Sequence, residues 1–255
     1  MSTAHKLLCV NVVLLPLILA RMTAQSIDER VAKWKRWCEE TIDRNVLTMY
    51  LHRYVSNEVG RILEDNEQQL PESYWWEFMR DTYGTTQAVA VRRQADTHKD
   101  VASLGKLIEE IGCDASRITR DFWLGLWNFD DDRFGVKRAM AEQAWAEHYG
   151  GGVGRHLDPA IPEADLDALS TGAAKVKRYV DKHVAHAEPV SAEVTLTLGE
   201  VHDAIDVIGH LFKKYYNLLT AGSYVELEPA IQDDWKAVFR VPWMRSNAPA
   251  ELQRP

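Results

Sequence analysis

A chain of 255 residues that is 46% hydrophobic and carries nine Trp can bury a substantial core as one domain, or as one domain with an appendage. A formal charge of −8 and a pI near 5.6 exclude a protein that coats nucleic acid through a general basic surface, so a polyanion would have to meet a local basic patch. The three cysteines, Cys9, Cys38 and Cys113, are odd in number and far apart, without zinc-site or disulfide-framework spacing, and this reads as a reducing, cytoplasmic chain.

Residues 7–20, LLCVNVVLLPLILA, form an apolar run after the single cation Lys6. The run has the length of a signal-peptide core and falls short of a membrane span. Three readings are open: a cleaved signal, a membrane-associated segment, or an upstream extension ahead of a functional start at Met22. The lone positive flank, Asn11 and Pro16 within the run, and the lack of a small residue three positions before a cut near residues 22–24 favour the third. Residues 1–21 are therefore set apart as an apolar extension, and no stable membrane association is expected.

From Ser26 the pattern is helical. Ser26 with Glu29 three residues on is a capping box. Val31, Trp34, Trp37 or Cys38, Thr41 or Ile42, Val46, Met49, Arg53 and Val59 recur at helical spacing and predict one long helix or a kinked pair over residues 27–64. Pro71 and Glu72 open a second helix to about Ala95, in which Tyr74, Trp75, Phe78, Met79, Thr82, Val89 and Val91 are expected to give a mostly buried aromatic face. A short helix over residues 100–111 is expected to stop at Gly112. Residues 114–127 are Trp-rich, and Asp130, Asp131 and Asp132 lead into a helix over residues 133–148. Gly150, Gly151, Gly152 and Gly154 then read as a flexible connector; a phosphate loop needs Gly-Lys-Ser or Gly-Lys-Thr after a strand, and GGGVGRH follows a helix without a lysine. Pro162 starts the next helix, with Leu166, Leu169, Ala173, Val176, Val180 and Val184 along one side, and Pro189 stops it. Residues 190–198 read as an extended connector. The last strong helix covers residues 199–219, with Val201, Ile205, Ile208, Leu211, Phe212, Tyr215 and Leu218 inward. Together these elements predict an all-α fold, an up-and-down helical bundle over residues 22–225, followed by a tail over residues 226–255 that carries a short helix.

Residues 178–188, RYVDKHVAHAE, crowd arginine, lysine and two histidines onto one helix end. Histidine gives or takes a proton near neutral pH without special tuning, and the arginine fork is shaped for phosphate. On an ideal helix Lys175, Arg178, Lys182 and His186 share a polar stripe opposite Ala173, Val176, Val180, Val184 and Ala187. His183 lies at the boundary, about 140° from Arg178. The segment thus nominates Arg178, His183 and His186 as catalytic groups, with Lys175, Tyr179 and Lys182 as substrate contacts. The opposing reading is a solvated helix face whose cations are favoured by the helix dipole. His183, His186, Glu188 and His202 could be arranged as a zinc site, but two histidines three apart with no cysteine or fixed third ligand make this the weaker reading, and no metal or cofactor is implied. Arg92, Arg93, Asp96 and His98 read first as a buried ion pair bracing the bundle, and Trp75, Trp76, Trp123 and Trp127 as core ahead of base-stacking groups.

A helix with a polar, Arg-containing turn and then Lys182-His183-Val184-Ala185-His186 near its end resembles the HEPN superfamily, in particular its abortive-infection, AbiU-like branch. The resemblance runs over most of residues 22–220. It takes in the long first helix with Trp34 and Trp37, Val91-Arg92-Arg93-Gln94-Ala95-Asp96 followed by Ser103-Leu104-Gly105-Lys106-Leu107, and the segment from Asp181 to His186. It implies an all-helical homodimer and, for many members, a metal-independent endoribonuclease acting on RNA in toxin–antitoxin or phage-defence systems, with an antitoxin protein as partner. The implied signature is an arginine, four to six residues, then a histidine. Arg178 and His183 have that spacing, with Tyr179 where a polar residue is usual. Counted back from His186, the arginine position falls on Val180. Two functions from different classes stay open, an endoribonuclease and a non-catalytic RNA-binding or protein-interaction bundle.

Overall fold

The computed structural model describes residues 26–68, 73–152, 154–184 and 195–241. The expectations for residues 1–21 and for His186, Ala187, Glu188 and Pro189 lie outside the described residues. The first helix, α1 (Ile27–Arg36), starts on the expected capping box, with Ser26 Oγ accepting the Glu29 N–H and the Glu29 carboxylate accepting the Ser26 N–H. Trp34, Cys38, Ile42 and Val46 are all fully buried, yet they follow at four-residue intervals, which drift by about 40° per step on an α-helix. A π-helical stretch, Trp37–Ile42, absorbs the drift with an extra residue per turn, and α2 (Asp43–Asp65) continues from it. The long first helix is thus one element with a wide turn.

The chain then forms α3 (Tyr74–Gln94), α4 (Leu104–Cys113), a 3-10 turn (Ala115–Arg117), α5 (Arg120–Leu124), α6 (Val136–His148), α7 (Ala160–Tyr179), a π segment (Val180–Val184), α8 (Leu198–Thr220) and a 3-10 turn (Trp235–Arg240). Among the described residues no strand forms; Thr119 and His156 make an isolated bridge. The fold is all-α. No helix among the described residues is long and apolar enough to cross a membrane.

α8 is the axis of the bundle. It is apolar around most of its circumference, which marks an interior helix, and it packs against α1, α2, α3, α4 and α7. All seven residues expected inward, from Val201 to Leu218, are buried. Gly209 is where α2 comes closest: a Cβ there would collide with the phenol of Tyr50, whose hydroxyl is 3.3 Å from Asp206 Oδ1. Gly209→Ala is expected to destabilise the fold by about 1–3 kcal/mol through overpacking. Chemical denaturation measures this, and an unchanged midpoint would mean that Tyr50 moves aside freely.

Four expectations are corrected. The aromatic start of α3 is not buried: Tyr74 is 88% exposed, Phe78 64%, and Trp75, Met79, Thr82 and Val89 are also exposed. The reason is the reach of α8, whose first residue, Leu198, stands beside Gly84, so that residues 74–82 run past the helix that would have covered them. Only Gln87, Ala88, Val91 and Gln94 of α3 are buried. Gly112 does not stop α4, which runs to Cys113 and is capped by Asp114; it lies inside the helix, facing Pro162 of α7. α7 begins at Ala160, with Pro162 buried inside its first turn. Gly150 and Gly154 of the glycine run are packed on the core, while Gly151 and Gly152 between them are exposed. Trp145 Nε1 donates to the Gly154 carbonyl at 2.9 Å, and a Cβ on Gly150 would strike the indole.

Trp145 belongs to a buried knot with Trp123 and Tyr149, ring centroids 5.6–5.9 Å apart. Trp123 and Trp127 are therefore interior groups, as expected, with Trp127 half-buried and stacked on Phe129. Tyr149 Oη lies 2.9 Å from both the Lys214 carbonyl and Asn217 Oδ1. That contact fastens α5 and α6 to the far end of α8. The tail also docks on the bundle: Leu227 is buried, and the Trp235 ring meets Tyr54 of α2 at 6.3 Å.

Candidate functional site

The last turns of α7 seat the candidate residues. Ala173, Val176 and Val180 are buried against the bundle, which fixes the helix and turns its other side to solvent. Arg178 and His183 are exposed, while Tyr179 and Lys182 are half-buried. Val184, expected on the apolar side, is 44% exposed. A second wide turn, the π segment Val180–Val184, advances less per residue than an α-helix. It narrows the angle that separates Arg178 from His183 on an ideal helix. The Tyr179 and His183 rings lie 5.2 Å apart at 41°. Exposure of His183 rules out the role of a core histidine.

Two carboxylates hold cations at this end. Lys175 pairs with Glu200 of the α8 capping box. The Lys175 ammonium, helped by the Thr197 N–H, holds the Glu200 carboxyl down at about 2, so Glu200 is ionised throughout the physiological range. The charge of Lys175 is thereby partly offset. Arg92 reaches from the last turn of α3 to Asp181, Nε to Oδ1 2.5 Å. The expected brace at the end of α3 is real but not buried, since both side chains are more than a third exposed. Arg178 pairs with no carboxylate among the described residues. Arg92, Lys175, Lys177, Arg178 and Lys182 against Asp181 and Glu200 leave a local cationic surface on a chain of formal charge −8.

Arg92 and Glu200 were not assigned to the site from sequence. Asp181, lying between Arg178 and His183, was the available sign that a cation from elsewhere would dock there, and Thr197-Leu198-Gly199-Glu200 carried the capping pattern. Among the described residues no group of three or more His, Cys, Asp or Glu is placed to hold a metal ion. His202, named with His183 for zinc, instead sits with Nε2 2.7 Å from the Tyr83 hydroxyl.

An all-helical bundle is the architecture of a HEPN-type domain. The family model for AbiU2, a HEPN-type abortive-infection family, matches residues 28–238, and the chain belongs to that family. Comparison with curated proteins and with solved structures finds no significant match.

Proposed function

We propose that the exposed face of residues 175–184, together with His186, is the active surface of a metal-independent endoribonuclease, acting in the cytoplasm in a toxin–antitoxin or phage-defence system. The observation that carries this reading is the exposure of Arg178 at the end of α7 and of His183 on the wide turn that follows, with Tyr179 against the imidazole and Asp181 fixed by Arg92. In the proposed reaction one imidazole takes the proton of the RNA 2′-hydroxyl as its oxygen bonds to phosphorus. A second imidazole, His186 or the same histidine of a second copy, protonates the departing 5′-oxygen. Arg178 and Lys182 stabilise the charge that builds on the phosphate oxygens. One helix end supplies few groups for both proton transfers, so the active form is proposed to be a two-fold dimer.

The rival reading, a non-catalytic RNA-binding or protein-interaction bundle, is favoured by one observation, the exposed apolar start of α3 with Tyr74 and Phe78. Incubating the purified protein with mixed RNAs in EDTA separates the two. Discrete fragments favour the nuclease; intact RNA together with a co-purifying protein such as an antitoxin favours the rival. Light scattering adds a second check, because a strictly monomeric species at micromolar concentration would contradict the shared active site.

A further inference from the structure

A cleft of about 1070 Å³ opens between the outer halves of α2 and α3, the first turns of α8 and the 3-10 turn Trp235–Arg240. Its size is at the upper end of the range for small-molecule sites. Leu51, Val55, Val59 and Leu63 line one wall at four-residue spacing on α2, and Trp76 and Met79 of α3 face into the same space. The walls are apolar along most of the hairpin, and the charged residues that border the cleft, Arg61, Glu64 and Arg80, are exposed. Half-buried polar groups converge where α8 enters: Tyr83 Oη is 2.7 Å from His202 Nε2, and Ser56 lines the same cleft.

The charge at that end is balanced. Arg53 is the nearest cation, and it is committed to Asp206 at 2.6 Å with its guanidinium 4.4 Å from the Tyr50 ring centre. Burial, then Arg53, lowers the His202 imidazole, and burial pushes the Tyr83 phenol up to about 12. Both groups are thus neutral at pH 8. Whichever of them donates the shared proton, the pair keeps one further donor and one further acceptor. An ionised head would lose its water against groups that return no net charge, which is costly, whereas a hydroxyl or amide would exchange water for hydrogen bonds.

We propose that this cleft binds a non-ionic amphiphile, its apolar body lying between α2 and α3 and its hydroxyl or amide head on Tyr83, His202 and Ser56. The site is separate from the helix-end face and does not depend on the nuclease reading.

Calorimetric titration of the full chain with 1-decanol at pH 8, with decanoate as the ionised control, tests it. The expected result is saturable one-to-one binding of 1-decanol, with decanoate about 10-fold weaker or worse. Tyr83→Phe should weaken 1-decanol by about 2- to 10-fold, the loss of one hydrogen bond. Gly60 lines the cleft, and a Cβ there meets nothing within 4 Å. Gly60→Phe should therefore project a ring between the apolar walls and weaken binding without lowering the melting temperature, because the position is a helix interior where glycine is the poorer residue. No saturable heat, binding untouched by Gly60→Phe, or decanoate binding as tightly as 1-decanol would each overturn the proposal.

Discussion

His183→Ala is expected to lower RNA cleavage by about 100-fold or more, the usual cost of removing a general acid or base, while the fold stays intact. The imidazole is exposed and its one ring contact is Tyr179 on the same turn, so its removal should change stability by under about 0.5 kcal/mol. Arg178→Ala should behave in the same way, because the guanidinium is exposed and braces nothing among the described residues. Lys175→Ala should cost less activity, since Glu200 already offsets that charge. Cleavage assays beside melting curves read both quantities. If the His183, Arg178 and His186 alanine variants all retain full activity and unchanged melting, the segment is a solvated helix face.

The largest structural effect should come from Trp145→Ala, at about 3–5 kcal/mol, the range for removing a large aromatic side chain from a core. The indole is 1% exposed, packs against Trp123 and Tyr149, and donates to the Gly154 carbonyl. Alanine would leave a cavity between α5, α6 and α8 and strand that carbonyl. Denaturant unfolding gives the number, and a loss below about 1 kcal/mol would show that the glycine turn closes over the gap. Because the knot sits at the opposite end of α8 from Glu200, His183 should keep its surroundings in this variant under conditions where the protein remains folded.

Much of this architecture was legible from periodicity. α8 was readable almost residue by residue because its apolar positions recur without a break along its whole length, and the Ser26–Glu29 box marked the first helix to the residue. The amino-terminal half of α3 was misread because its pattern is that of a buried face, and periodicity says which side of a helix is apolar without saying whether a neighbour reaches it. α8 starts too late to cover Tyr74 and Phe78. The glycine run was misread for the converse reason: glycines that loosen a connector and glycines that admit an indole are the same letters. At the candidate site the residue types were readable and the geometry was not. The π turn at Val180–Val184 moves His183 relative to Arg178, and the cross-bundle pairs Arg92–Asp181 and Lys175–Glu200 depend on packing between helices distant in sequence.

The proposed reaction turns on one atom of the substrate, the 2′-oxygen beside the scissile phosphate. The most direct measurement is cleavage in EDTA of an RNA with a mapped cut site, compared with the same RNA carrying a single 2′-deoxy nucleotide on the 5′ side of that site. The account predicts that the all-ribose RNA yields a 2′,3′-cyclic phosphate and a 5′-hydroxyl, and that the 2′-deoxy RNA is not cut there. Cleavage of the 2′-deoxy RNA at the same bond, or products that end in a 3′-hydroxyl and a 5′-phosphate, would contradict it.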